Sequence, residues 1–184
     1  MRAYSIEEIR QCFSRSTDFN EIFDAFQAAL SLKLKDVEHY RLLFWNHALS
    51  PDEIRFFGEK LATEFPDVSY DVFLWLASVF EVTYSSNDNY DLALHYYQKA
   101  AAVQPTRPDP YLDACDCYDS DLNIPPLVNL VDFVRQGLSH VANPIPLYKR
   151  LAHLYNLAGD LDQSEYYRRK ADEGGSTHDS PENE

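Results

Sequence analysis

Apolar residues recur at intervals of three and four along most of the chain, which is the period of an amphipathic helix. Ile6, Ile9 and Phe13 open the series. Ser5 and Glu8 have the spacing of a capping box, in which each side chain accepts a hydrogen bond from the other residue's backbone N–H. The sequence therefore predicts that a first helix begins directly after Ser5.

The same pattern predicts further helices joined by short turns, many of which contain proline. The predicted helices have apolar side chains on one face, and most have a capping residue or a proline near the start. They start at or just after Asp18, Val37, Ser50, Ser69, Tyr90, Asp109, Pro126, Pro144 and Asp160. The third helix is expected to include His47, and the helix from Asp109 is expected to include Tyr118. No segment alternates like a strand, so we predict an all-α protein of about ten helices.

Tyrosines mark an internal repeat. Tyr84, Tyr118 and Tyr155 are separated by 34 and 37 residues. A small residue lies nine positions after Tyr84 and nine positions after Tyr155, and an alanine lies seven positions after each small residue. These residues are Ala93 and Ala100 in the first case, and Ser164 and Ala171 in the second. In the middle unit, a connection with three extra residues places Gly137 in the slot of Ala100.

These spacings resemble the tetratricopeptide repeat, a 34-residue helix–turn–helix unit with the pattern W-x2-L-G-x2-Y, then A-x3-F, then P. Tyr84, Ala93, Tyr97 and Pro105 carry the resemblance in the best-matching unit. The departures are Ala77 in the Trp slot, Glu81 in the Gly slot and, in the last unit, Arg168 in the Phe slot. The resemblance implies a right-handed α-α superhelix, a solenoid of antiparallel helix pairs whose small residues lie where helices cross.

The repeat pattern also predicts the organisation of the chain. Residues 1–36 form an N-terminal helical segment that packs on the array, and residues 37–171 form the array itself. Its units lie near 37–70, 74–107, 108–144 and 145–171, and a disordered acidic tail follows at 172–184. The first of these units is either a degenerate repeat or a fortuitous helix pair, because only its first helix repeats the expected spacing.

Charge and cysteine content narrow the class of protein. The net charge is −14 in 184 residues, which argues against nucleic acid or an anionic membrane surface as the partner. It favours a merely soluble surface, or one that recognises a basic segment. Cys12, Cys115 and Cys117 have no disulfide spacing, and no run of about 18 apolar residues occurs. We therefore expect a cytoplasmic protein with reduced thiols, with Cys115 in a packing face and Cys117 near the surface.

Motifs of catalysis and ligand binding are missing from the sequence. It contains no glycine-rich phosphate loop, no GxSxG elbow and no HExxH. Asp119, Asp121 and Asn123 resemble the start of a calcium loop, but Ile124 and Leu130 replace its glycine and its glutamate. The sequence therefore predicts no enzyme, no cofactor and no metal site.

The resemblance implies that a peptide or a partner helix binds the concave surface formed by the first helix of each unit. Carried over by position, the candidate partner-binding residues are Trp75, Val79, Val82, Asp113, Asp116, Lys149, Arg150, His153 and Asn156. Trp75 and Val79 would be apolar anchors. The acidic middle unit beside a basic last unit favours a protein or peptide of mixed charge. The alternative is that these residues form ordinary solvated helix faces.

Three functional hypotheses follow. The first is a non-catalytic adaptor or scaffold that binds a protein segment in the concave face. The second is a small acidic chaperone resembling those of type III secretion translocators. The third is self-association through the aromatic-rich first sixty residues, which light scattering on a chain without residues 1–36 tests, since an unchanged mass would remove the idea.

Overall fold

The computed structural model of the protein describes residues 4–83 and 87–176. The predicted repeat position Tyr84 and residues 177–184 of the predicted tail lie outside these ranges. Ten α-helices and no strand lie within them, and the chain divides into two compact units between residues 85 and 86. The helices are α1 (Ile6–Arg15), α2 (Phe19–Ser31), α3 (Val37–Phe44), α4 (Pro51–Glu64), α5 (Ser69–Thr83), α6 (Asn87–Val103), α7 (Asp109–Asp113), α8 (Leu127–Gly137), α9 (Ile145–Leu157) and α10 (Leu161–Ser176).

The first unit contains α1 to α5, and capping boxes start two of these helices. The Ser5 N–H donates to Glu8 at 2.8 Å, and the Glu8 N–H donates to the Ser5 hydroxyl at 3.2 Å. Ser50 and Glu53 form the same box at the start of α4, ahead of Pro51 at the first helical position. Both predicted helix starts are confirmed, since these side chains satisfy backbone N–H groups that the first helical turn leaves free.

Large aromatic side chains fill the core of the first unit. Phe13, Phe26, Tyr40, Phe44 and Phe57 are fully buried. The ring centroids of Phe26 and Phe57 are 4.9 Å apart in an edge-to-face arrangement, and those of Phe13 and Tyr40 are 5.8 Å apart. The first contact joins α2 to α4, the second joins α1 to α3, and the Phe26 ring meets the Tyr40 ring edge-to-face at 6.0 Å to link the two pairs, so bulky rings hold these four helices together.

Asn46 ends α3 earlier than the apolar pattern predicts. Its side-chain amide donates to the carbonyl oxygens of Phe13 and Ser16, both at 2.9 Å, and its side-chain oxygen accepts from the Ala48 N–H. The helix therefore stops at Phe44, and His47 is exposed in the turn that follows. The prediction that α3 includes His47 is wrong, because a buried side chain that bonds to another helix overrides local periodicity.

The second unit contains α6 to α10, and its α7 is shorter than predicted. The α-helix ends at Asp113 and continues as a 3-10 turn over Ala114–Cys117, so the expected helix through Tyr118 is wrong. Side chains three residues apart lie on the same side of such a turn. Ala114 and Cys117 accordingly are both fully buried, which corrects the placement of Cys117 near the surface. Cys115 is buried as predicted, and this burial raises the pKa of its thiol to about 12.

Small residues lie where helices of the second unit meet. A Cβ atom on Gly137 of α8 would lie 2.7 Å from Leu147 Cδ2 and 2.8 Å from Tyr111 Cγ. On α10, the buried Ser164 hydroxyl donates to the Ala152 carbonyl of α9 at 2.8 Å. Gly137 and Ser164 are two of the residues that the repeat alignment places in small-residue slots, and both stand at close helix contacts.

The turn between α9 and α10 requires Gly159. This residue has a φ of 77°, in the left-handed region that glycine tolerates. The Asp160 N–H bonds to the Tyr155 carbonyl and the Gly159 N–H bonds to the Asn156 carbonyl, which is the Schellman pattern of a helix end. Asp160 then caps α10, which continues to Ser176 and therefore past the predicted array boundary at residue 171.

Candidate functional site

The predicted partner-binding residues are divided between the two compact units. Trp75, Val79 and Val82 belong to α5 of the first unit. Trp75 is half-buried and Val82 is 62% exposed, but Val79 is fully buried. The prediction that Val79 is an apolar anchor is therefore wrong, because no part of its side chain can contact a partner.

Three of the predicted residues in the second unit line one depression, which we call the α9–α10 depression. Lys149, His153 and Asn156 lie four and three residues apart on α9 and so share a face. Arg168 and Asp172, one turn apart on α10, form the opposite wall. The depression has a volume of about 310 Å³ and is completed by Ala152 and Ala171.

The α9–α10 depression is cationic in a strongly acidic chain. Lys149 and Arg168 are exposed, and neither side chain makes a hydrogen bond or ion pair with another residue in the part of the chain that the structure describes. Asp172 contributes the one carboxylate among the lining residues. Lysine and arginine carry only donors, so this arrangement is suited to a carboxylate or another anionic group.

Arg150 does not belong to this depression. Its guanidinium makes two parallel contacts with the Asp116 carboxylate, at 2.9 and 3.0 Å. The sequence assigned both residues to partner binding, but here they neutralise each other within the second unit. The ion pair was not predictable from helical spacing, because Asp116 and Arg150 lie 34 positions apart in the chain.

Asp113 is exposed on the same acidic stretch as Asp116. Partial burial raises the pKa of the Asp113 carboxyl, and the neighbouring carboxylates Asp109 and Asp116 raise it further, while Arg150 opposes them. The carboxylates of Asp109, Asp113 and Asp116 therefore repel one another, which disfavours ionisation of Asp113.

A second depression lies in the first unit, and we call it the tryptophan depression. It is lined by Arg41, Leu42, Trp45 and Trp75, and its volume is about 400 Å³. The Arg41 guanidinium lies over the Trp75 ring, 5.6 Å from its centroid. Of these residues, only Trp75 was predicted from the sequence to bind a partner. Trp45 follows Arg41 by four residues and Leu42 by three, so helical spacing alone places these residues on one face at the C-terminal end of α3.

Three partly exposed phenylalanines form a separate aromatic surface on α2 and α4. Phe19 is 37% exposed and Phe56 is 45% exposed, and Phe23 lies between them with ring centroids 6.1 and 6.2 Å away. This is the exposed part of the aromatic-rich segment in which the sequence located self-association, which stays a prediction.

Two features of the described residues concern metal sites and membrane-spanning helices. No three histidine, cysteine, aspartate or glutamate side chains among residues 4–83 and 87–176 come together as a metal site. Within the same ranges, no helix combines the length and the apolar content that crossing a membrane requires.

Comparison with known proteins shows the fold. The chain matches no protein-family model and no curated protein. It is similar to a crystal structure of MamA at 18% identity, over 97% of this chain and 98% of that chain, with a TM-score of 0.56. A second MamA crystal structure gives 19% identity, 95% and 97% coverage, and a TM-score of 0.54. MamA 41-end from Desulfovibrio magneticus RS-1 gives 16% identity, 95% and 96% coverage, and a TM-score of 0.53.

These similarities confirm the predicted fold class, a tetratricopeptide-like helical solenoid. Because every identity is below 25%, they bear on the fold and leave the partner to be argued from the residues of this chain.

Proposed function

We propose that the protein is a non-catalytic scaffold of the tetratricopeptide family that binds an acidic segment of a partner protein in the α9–α10 depression. The observation that carries the proposal is the meeting of Lys149, His153 and Asn156 with Arg168 across two packed helices. The fold supports it, since stacked helix pairs present side chains of several helices on one extended surface.

The chemistry of the lining residues defines the segment. Lys149 and Arg168 supply cationic donors, and the Asn156 amide and the His153 ring add further donors. An aspartate or glutamate side chain, or a C-terminal carboxylate, accepts several such bonds at once. An exposed charge pair contributes about 0.2–1 kcal/mol, so Lys149 and Arg168 together favour an acidic peptide over its amide counterpart by up to about 2 kcal/mol.

The test is a titration with a fluorescein-labelled peptide of alternating Gly and Glu, compared with the same peptide in Gln. We expect the Glu peptide to bind, and we expect Lys149→Glu with Arg168→Glu to weaken binding by at least about tenfold, as loss of more than 1.4 kcal/mol requires.

A matched control distinguishes the depression from general attraction to positive charge. Arg169→Glu with Lys170→Glu makes the same change of charge on α10, at two positions that do not line the depression. The proposal fails if this control weakens binding as much as the Lys149 and Arg168 pair, or if the Gln peptide binds equally well.

A further inference from the structure

The tryptophan depression holds both tryptophans of the chain. Trp45 is 36% exposed at the end of α3, and Trp75 is half-buried on α5. We propose that this depression is a second binding site, which takes an apolar side chain from a basic amphipathic helix of a partner protein. It goes beyond the proposed function, because it lies in the other compact unit and shares no residue with the α9–α10 depression.

The apolar part of the site has the form of a groove for a helix. Leu42 and Trp45 come from α3, and Trp75 comes from α5, which packs against it. Val82 stands seven residues after Trp75, two turns along the same face of α5, and is 62% exposed. Apolar positions about 10 Å apart along one groove match anchors two turns apart on a bound helix. Tryptophans at the centre of such a surface contribute most to binding energy.

Arg41 does not make the site positive. Its Nη1 atom lies 3.2 Å from Glu38 Oε2, and its guanidinium covers one face of the Trp75 ring. Its charge is therefore matched by a carboxylate of its own helix, and its main contribution is to hold the indole in place.

The charge that remains at the rim is negative. Asp71 lies four residues before Trp75, on the same face of α5, and is exposed. Within the described residues its carboxylate has no ion pair. Residues 1–85 as a whole carry eight Lys and Arg against fourteen Asp and Glu. An apolar groove with an acidic rim is complementary to a helix whose apolar face is flanked by lysine or arginine.

Tryptophan fluorescence tests the proposal directly, since both indoles lie in the depression and no other tryptophan contributes to the emission. The probe is a synthetic 14-residue helical peptide of Leu and Lys with one apolar face, and the comparison is the same peptide with Glu for Lys. We expect a saturable change in emission with the Lys peptide, and an affinity for the Glu peptide that is lower by about tenfold or more at low salt.

Substitutions localise the effect. Asp71→Lys should weaken binding of the Lys peptide several-fold, whereas Glu64→Lys, the same change at an exposed position of α4 outside the depression, should leave it nearly unchanged. Trp45→Ala retains Trp75 as the reporter and should weaken binding by about tenfold, as expected for a central aromatic contact. Trp45→Phe keeps most of the apolar area and should bind the Lys peptide more tightly than Trp45→Ala does. Far-UV circular dichroism checks that each variant is folded.

The proposal is overturned if the Lys peptide leaves the emission unchanged, if the Glu peptide binds as tightly, or if Glu64→Lys weakens binding as much as Asp71→Lys. Failure of the acidic-peptide titration at Lys149 and Arg168 would leave these results unaffected, so the two sites stand or fall separately.

Discussion

The two compact units both combine buried rings with glycines at close helix contacts, and Phe57 in the first unit and Gly137 in the second represent these two kinds of position. In the first unit, buried rings such as Phe26 and Phe57 fill the space between helices. In the second unit, a Cβ atom added to Gly137 would overlap neighbouring side chains. The Ser164 hydroxyl donates a hydrogen bond to a backbone carbonyl of the adjacent helix. Both kinds of contact occur in both units, since a Cβ atom on Gly58 of α4 would overlap Leu76 of α5, and the rings of Tyr111 and Phe133 are 4.9 Å apart. Phe57 and Gly137 should therefore respond to opposite kinds of substitution.

The largest effect is expected in the first unit from Phe57→Ala. Phe57 is fully buried and its ring contacts those of Phe19, Phe26 and Phe56. Removing it leaves a cavity among rings that cannot close around it, which costs about 3–5 kcal/mol. Urea unfolding followed by circular dichroism measures the loss.

The neighbouring residue provides the control for Phe57→Ala. Phe56 is 45% exposed, so Phe56→Ala should cost less than about 1 kcal/mol, because much of its surface is already in water. Equal losses from the two substitutions would show that burial of large rings does not explain the stability of this unit.

An intermediate effect is expected in the second unit from Gly137→Ala. The new methyl group would overlap Leu147 and the root of the Tyr111 ring, and the latter cannot move without shifting α7. Overpacking of this kind costs about 1–3 kcal/mol. The measurement is again urea unfolding.

Gly175→Ala is the matched control for this prediction. Gly175 also lies in a helix, but nothing is within 4 Å of the position a Cβ atom would take. Alanine there should be neutral or stabilising by up to about 1 kcal/mol, because it favours the helix more than glycine does. A neutral Gly137→Ala would contradict the close packing of α8 against α7 and α9.

The features that the sequence predicts correctly are local or periodic. The capping boxes at Ser5 and Ser50 depend on residues three apart, and the small residue at Gly137 follows from the repeat spacing. The features it misses depend on contacts between distant residues. Asn46 ends α3 by bonding to residues about thirty positions earlier, and Arg150 pairs with Asp116 thirty-four positions away.

The candidate site divides in the same way. Lys149, His153 and Asn156 share a face by helical spacing alone, so their common position was predictable. Arg168 was not, because the sequence placed it in an apolar repeat slot and only the packing of α10 on α9 brings it opposite Lys149. The prediction for Val79 was wrong because helical spacing shows which residues share a face but does not show how deeply that face is buried.

Each unit contains the same type of contact, in which a tyrosine hydroxyl donates a hydrogen bond to the backbone carbonyl six residues earlier. Tyr40 bonds to Leu34 at 2.8 Å, and Tyr111 bonds to Pro105 at 3.2 Å. The two tyrosines hold the same position in the repeat spacing, and whether residues 37–70 form a true repeat unit stays a prediction. Burial raises the pKa of both phenols, and more strongly for Tyr40.

The smallest effects are expected when this shared contact is removed from each unit. Tyr40→Phe should cost about 1 kcal/mol, the usual value of a hydrogen bond, and Tyr111→Phe should cost less because its bond is longer.

The pH dependence of stability gives a second comparison of the two tyrosines. Since the folded-state pKa of Tyr40 lies above the unfolded value near 10.0, the folded protein retains this proton longer, and its stability must fall as the pH rises above about 10. Urea unfolding at pH 8 and pH 11 should show a shallower alkaline decline for Tyr40→Phe than for the unsubstituted chain, with a smaller change for Tyr111→Phe. Equal declines in all three proteins would mean that Tyr40 titrates alike in the folded and unfolded states, which would contradict its burial.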